Sequence, residues 1–182
     1  MSSVVWHFMM SLDGFYAGPD DSMDWAFKTG GGPNRVADDF MQNSGAILAG
    51  RRWYDVATAK YNGRRGIYGG KWDGRLFVLT HRPPDDPEDP EITFLTGGIE
   101  DAVQTAKTAA DDKNVEIFGA NVAAQCLAAG LVDDLVVHVA PILLGDGIRL
   151  YGASEDRGEV ELERVDLAES GQVTSLHFRV KR

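Results

Sequence analysis

Short apolar runs alternate with segments of helical spacing along most of the chain. Val4-Val5-Trp6-His7-Phe8-Met9-Met10 is nearly continuous in apolar character, the pattern of a strand buried on both faces. Ala46-Ile47-Leu48-Ala49, Leu76-Phe77-Val78-Leu79 and Val115-Glu116-Ile117-Phe118 are shorter runs of the same kind. Leu135 to Leu144 continues the series, and Pro141, which lacks a ladder donor, predicts that this strand ends or bulges there. Between the runs the period lengthens. Val36, Phe40 and Met41 share one face of a segment opened by Pro33-Asn34, and Ile99, Ala102, Val103 and Ala106 form an i, i+3, i+4, i+7 stripe. Val122, Cys126 and Ala129 repeat that geometry, with Asn121 as the expected N-cap and Gly130 beyond the end.

Alternating strand and helix predicts an α/β fold with a largely parallel central sheet. The tail departs from this. Val160 to Val165 and Val173 to Val180 read as strands joined through a turn at Ala168 to Gln172, so they must be antiparallel and the sheet mixed. Ser175, His177 and Arg179 alternate with Leu176, Phe178 and Val180, the pattern of a half-exposed strand. Arg82 to Pro90, with four prolines and four acids, reads as a surface loop. No internal repeat or domain boundary stands out, and residues 1–182 read as one domain.

Composition narrows the function classes. Of 182 residues, 43% are hydrophobic and 25% charged, as in an ordinary globular domain. The formal net charge of −10 repels phosphate backbones and anionic lipid, which argues against nucleic-acid and membrane partners. Cys126 is the one cysteine and reads as a small core residue on its helix stripe. No basic n-region or cleavage site precedes Val4, and no apolar stretch approaches the roughly 20 residues that span a bilayer, so the expected location is the cytoplasm.

Four segments at strand ends carry candidate chemistry. Ser11-Leu12-Asp13-Gly14-Phe15-Tyr16-Ala17-Gly18 leaves the first strand, where Asp13 is either a carboxylate facing a ligand crevice or one half of a simple Asp-Gly turn. Gly50-Arg51-Arg52 follows the Ala46 strand. Its glycine allows a tight turn into a helix N-terminus, and its two guanidinium groups either meet a phosphate or lie solvated. Thr80-His81-Arg82 offers hydroxyl, imidazole and guanidinium donors after the Leu76 strand. Gly119-Ala120-Asn121-Val122 is a small-residue turn into a helix, without the three glycines of a dinucleotide fingerprint. Three candidate phosphate turns at three strand ends suit an extended dinucleotide better than a compact phosphate. There is no nucleophile elbow, phosphate loop or metal-binding motif; the four histidines are dispersed, and His7 and His138 read as packed, hydrogen-bonded strand residues.

The blocks Ser11 to Asp20 with Met23-Asp24-Trp25, Asn34-Arg35, Ser44 to Arg51, and Gly130-Leu131-Val132-Asp133-Asp134-Leu135 followed by Ala140-Pro141-Ile142-Leu143-Leu144-Gly145-Asp146-Gly147 resemble, in order, the dihydrofolate-reductase-like proteins of the riboflavin reductase (RibD) C-terminal-domain family. The resemblance implies a three-layer α/β/α domain with a mixed, mostly parallel sheet and a C-terminal antiparallel hairpin, using NADPH as hydride donor. It implies that Gly50, Arg51 and Arg52 form a cofactor-phosphate turn, that Thr80, His81 and Arg82 lie near the adenosine 2′-phosphate, and that Gly119, Ala120, Asn121 and Val122 form the pyrophosphate turn. Tyr16 and Ala17 would lie near the nicotinamide. Asp13 would be catalytic and, with Trp25, would face the substrate.

The substrate so implied is 5-amino-6-(5-phosphoribosylamino)uracil or a related heterocycle, with no metal. Pterin or dihydrofolate reduction is an alternative, although no acid follows Trp25 in Ala26-Phe27-Lys28-Thr29-Gly30, where folate reductases carry one. A catalytically idle nucleotide-binding member is the other alternative. A homodimer is expected, as is common in the family, through apolar surface in Leu135 to Leu150 and the two late strands.

Overall fold

The computed structural model describes residues 2–29, 33–87, 89–151 and 158–182. The strands are β1 (Val4–Ser11), β2 (Phe15–Ala17), β3 (Ser44–Gly50), β4 (Arg75–Leu79), β5 (Ile92–Leu95), β6 (Asn114–Phe118), β7 (Asp134–Ala140), β8 (Ile148–Arg149), β9 (Leu162–Ser170) and β10 (Val173–Val180). The helices are α1 (Asp24–Thr29), α2 (Arg35–Gln42), α3 (Arg51–Lys60), α4 (Ile99–Ala110) and α5 (Ala120–Ala128), and a kinked 3₁₀ segment spans Gly63–Gly70.

Eight strands form one sheet in the order β5-β4-β3-β6-β1-β7-β10-β9. The five pairings from β5 to β7 are parallel, and β7–β10 and β10–β9 are antiparallel. β2 and β8 form a separate short antiparallel pair. The mixed sheet expected from the sequence is present, with its antiparallel strands at the C-terminal end.

Helices cover both faces. Trp6, Leu48, Val115, Ile117 and Val137 project to one side, against Ala102, Val103 and Ala106 of α4 and Val122, Ala123 and Cys126 of α5. Ile47, Ala49, Leu76 and Val78 project to the other, against Tyr54 of α3, Ile67 and Trp72, while Val5 and Val136 meet Val36 of α2. Cys126 is fully buried and its thiol is pushed up to about 12 by desolvation, as a small core residue should be. Each fully buried valine, leucine or isoleucine of this core contributes about 1.5–3 kcal/mol relative to exposure.

Several boundaries differ from the sequence expectation for local reasons. β9 runs to Ser170 rather than Val165, because Ser170 pairs with Val173 across a two-residue loop in which Gly171 takes φ +59°. The N-cap of α5 is Gly119, not Asn121; Asn121 sits inside the helix, where its side-chain oxygen accepts a hydrogen bond from Gln125 at 2.7 Å. β7 ends at Ala140, one residue before Pro141, and Asn34 caps α2 by accepting from the Ala37 amide, both as the pattern predicts. The proline-rich stretch after Arg82 contains no helix or strand among its described residues; Glu88 lies outside them.

Candidate functional site

The register of the parallel strands builds the site. Gly50 pairs with Leu79, and Ala49 pairs with Phe118, so β4, β3 and β6 end at one level. The residues that follow, Thr80, Gly50 to Arg52 and Gly119, therefore stand side by side along one rim. Gly97 and Gly98, beyond the carboxyl end of β5, extend the same rim into α4. All of these residues line one cavity of about 1370 Å³. That exceeds the roughly 300–1,000 Å³ of a pocket for one small ligand, so a dinucleotide and a second molecule can share it.

Three helices open onto this cavity, and each begins at a glycine. Gly50, Gly98 and Gly119 are the N-caps of α3, α4 and α5, and none supplies a side-chain hydrogen bond to its helix. The first-turn amides are thus left for an outside acceptor, the arrangement that favours phosphate oxygens. The glycines also permit close approach. Gly119 has φ +97°, a backbone conformation that L side chains rarely adopt. A Cβ on Gly50 would press within 3.1 Å of Val122 Cγ2. The donor set fits a diphosphate-containing cofactor.

Every residue expected to bind the cofactor lines this cavity: Tyr16, Ala17, Gly50, Arg51, Arg52, Thr80, His81, Arg82, Gly119, Ala120, Asn121 and Val122. The arginines differ in how they are held. Arg51 is fastened to Asp55 at 2.7 Å and donates to the Arg82 carbonyl, which ties α3 to the 80–82 turn. Arg52 forms a two-pronged pair with Asp21 at 2.8 and 3.0 Å, so that guanidinium already has a carboxylate. Thr80 is buried, and its hydroxyl accepts from the Arg82 amide, shaping the turn. The Tyr16 phenol is pushed up to about 12 by burial, against the opposing pull of a Gly119 backbone hydrogen bond.

The two residues expected on the substrate side stand elsewhere. Asp13 does not line the cavity. Its carboxylate accepts from the Leu144 amide at 3.1 Å, the Gly145 amide at 2.8 Å and Ser11 Oγ at 2.6 Å. These bonds, the Ser11 hydroxyl foremost, hold its carboxyl at about 2, below the usual 3.8. A carboxylate committed to three donors pins the loop after β7 to the loop after β1, outside the cavity where it was expected to meet substrate. Trp25 is buried against Ala140, Met9 and Leu144 and also stands outside the lining; its neighbours Met23, Ala26 and Phe27 reach the cavity instead.

The polar centre of the cavity lies where sequence reasoning saw only packing. His7 on β1 and His138 on β7 are buried and hydrogen-bonded, as expected, yet both line the cavity. Their Nε2 atoms stand 2.6 Å apart. His7 Nδ1 lies 3.0 Å from Oε2 of Glu116, which has no exposed surface, and His138 Nδ1 lies 2.7 Å from Ser175 Oγ. Tyr68 Oη donates to Glu116 Oε2 at 2.6 Å and stands equally close to His7 Nδ1. Glu116 Oε1 is buried without a protein partner. Desolvation, then the neighbouring His7, pushes His138 down to about 3. Desolvation, then the charge of Glu116, pushes the Tyr68 hydroxyl well above its ordinary range. Burying a carboxylate costs on the order of several kcal/mol, which an apolar side chain in its place would avoid. The signal in the sequence was the polar interruption itself: His7 and Glu116 break apolar runs, and Tyr68 sits in Gly66-Ile67-Tyr68-Gly69-Gly70.

The layered sheet and the cavity along its strand ends define an α/β protein of the dihydrofolate-reductase-like class. The chain belongs to the RibD C-terminal domain family, which it matches over residues 2–176. It is 27% identical over 180 residues to the uncharacterized protein YwjB of Bacillus subtilis, covering 96% of this chain and 95% of that one. Among solved structures it is similar to a protein of Shewanella sp. PV-4 provisionally assigned to riboflavin biosynthesis, at TM-score 0.79, 22% identity and full coverage of both chains. It is also similar to the Thermotoga maritima diaminohydroxyphosphoribosylaminopyrimidine deaminase/5-amino-6-(5-phosphoribosylamino)uracil reductase, at TM-score 0.64 and 16% identity, covering 99% of this chain and 57% of that longer one. No helix among the described residues is long and apolar enough to cross a membrane.

Proposed function

We propose that the protein is an NADPH-dependent reductase of a small heterocyclic substrate, with 5-amino-6-(5-phosphoribosylamino)uracil or a close relative as the leading candidate. The observation that carries this reading is the convergence of three glycine-capped helix N-termini with Arg51, His81 and Arg82 on one cavity that is also lined by a buried histidine pair. The 50–52 and 119–122 turns would hold the diphosphate, and the 80–82 turn with Arg51 the additional phosphate. Tyr16 and Ala17 would border the nicotinamide. Bound there, the cofactor supplies a hydride; the protein aligns the partners and excludes water.

The remaining lining favours a flat, partly apolar ligand. Met9, Met23 and Phe27 supply apolar surface near His7 and His138, and Arg149, stacked 4.6 Å over Phe15, is a further cation. A cytoplasmic homodimer goes with the family reading. Support for the dimer comes from the edge strand β9, which shows Leu162, Val165 and Leu167 to solvent, rather than from β7, which is buried along most of its length.

The test is turnover of NADPH with the aminouracil ribosyl phosphate, with dihydrofolate in a parallel reaction. Oxidation of NADPH with the first compound alone is the expected result. Turnover with dihydrofolate alone would replace the substrate class, and NADPH binding without turnover of any flavin precursor or pterin would leave an idle nucleotide-binding protein.

A further inference from the structure

Ser175, His138, His7 and Glu116 lie on four neighbouring strands, β10, β7, β1 and β6, and their side chains are joined in one row across the sheet. The contacts run 2.7, 2.6 and 3.0 Å from Ser175 Oγ to Glu116 Oε2 without a break. Asn34 closes one end, 3.0 Å from Ser175 Oγ and 3.3 Å from His138 Nδ1. Tyr68 closes the other, 2.6 Å from both His7 Nδ1 and Glu116 Oε2. Among the described residues no other ionisable side chain is hydrogen-bonded to the row; Phe40 of α2 packs its ring 5.9 Å from that of His7.

Tyr68 is partly exposed, and its backbone is unusual. It has φ +50° and ψ +32° inside the kink of the 3₁₀ segment, a left-handed conformation that a bulky side chain adopts only against strain. That conformation accompanies a hydroxyl seated at the point where the cavity meets the row.

We propose that Tyr68 is the proton donor of this site and that Glu116, His7 and His138 are the positioning residues that recharge it. The proposal rests on the reductase reading, because a hydride added to one end of a C=N or conjugated C=C bond leaves the other end in need of a proton. In this relay His7 presents Nδ1 toward Tyr68 and Glu116 and Nε2 toward His138, and the proton it passes on is the one at Nδ1. As the hydride adds to the substrate carbon, the electrons of the double bond take the Tyr68 proton at the neighbouring atom. His7 Nδ1 returns a proton to Tyr68 Oη and is left neutral, still donating from Nε2 to His138. A proton from solvent restores His7 after product leaves. The sum is substrate, NADPH and one proton in, dihydro product and NADP⁺ out. The substrate class so defined is a flat heterocycle or its imine whose reduced bond ends in a basic nitrogen or an enolisable carbon.

Two measurements test this. In the ligand-free protein labelled with ¹⁵N-histidine, NMR is expected to show a coupling between the Nε2 nuclei of His7 and His138 through the shared proton. Its absence overturns the relay whatever the turnover. In the second, Tyr68→Phe is expected to bind NADPH within about twofold of wild type while the rate of substrate reduction falls on the order of 10²-fold. Glu116→Gln, of the same shape, is expected to move the pH at which kcat falls without changing the KM for NADPH. Unchanged rates and pH profiles in both variants overturn the proton-donor assignment and leave the reductase reading intact. Failure of wild type to bind NADPH overturns both.

Discussion

His7 Nε2 and His138 Nε2 are 2.6 Å apart across the parallel strands β1 and β7, so one ring donates and the other accepts. His138 is the neutral partner, since burial and then His7 hold its pKa near 3 against an ordinary 6.5. A base depressed in this way binds its proton in the unfolded chain first. Stability should therefore fall as pH drops from 6.5 toward 3, where the unfolded state carries the extra proton. Urea midpoints measured across this window are expected to decline in wild type. His138→Asn should be less stable at neutral pH, with a shallower decline.

Asp13 acts in a lower window. Its carboxyl is held at about 2 against 3.8, so its contribution is complete above the higher value and is lost as pH falls through the lower. Asp13→Ala is expected to lower the melting temperature at neutral pH, and its difference from wild type should shrink toward pH 2. NADPH affinity should stay within about twofold. A selective loss of turnover with unchanged stability would return Asp13 to a catalytic role.

Arg51 joins α3 to the 80–82 turn through Asp55 and the Arg82 carbonyl, and it faces the cavity. Arg51→Ala should raise the Kd for NADPH about 10-fold, equivalent to about 1.4 kcal/mol, and that for NADH much less. Arg52→Ala should have the smaller effect, because Asp21 already holds that guanidinium. Isothermal titration of both variants with both cofactors checks the order.

Gly119 has φ +97°, which an L side chain tolerates at a cost of about 1–3 kcal/mol. Gly119→Ala is expected to lose stability by that amount in denaturant unfolding and to weaken NADPH binding, since relieving the positive φ moves the turn that faces the cavity.

The edge strand β9 exposes Val165 and Leu167. Light scattering is expected to give a dimer for wild type and a monomer for the double variant Val165→Glu, Leu167→Glu. A wild-type monomer would place these residues on a free surface.

The parallel strands and the turns that follow β3, β4 and β6 were legible in the sequence because both rest on local signals. Apolar runs marked β1, β3, β4, β6 and β7, and β3, β4 and β6 are each followed by a glycine or polar turn that the strand register brings into line. The amide partners of Asp13 were not legible, because an Asp-Gly pair beyond a strand looks the same whether its carboxylate meets a ligand or two amides 131 and 132 residues away. The Glu116–His7–His138–Ser175 row was illegible for a related reason. The members sit on four different strands, and only the strand order places the four next to one another. The pair β2–β8 and the Tyr68 kink are short, and neither has a period to read.

Titration of the ligand-free protein with NADPH and then NADH, followed by quenching of tryptophan emission with Trp53 in the cavity wall, tests the shared rim most directly. Saturable one-to-one binding of NADPH, clearly tighter than NADH and weakened by Arg51→Ala and Gly119→Ala, is the predicted result. No saturation with either cofactor at millimolar concentration would contradict the account.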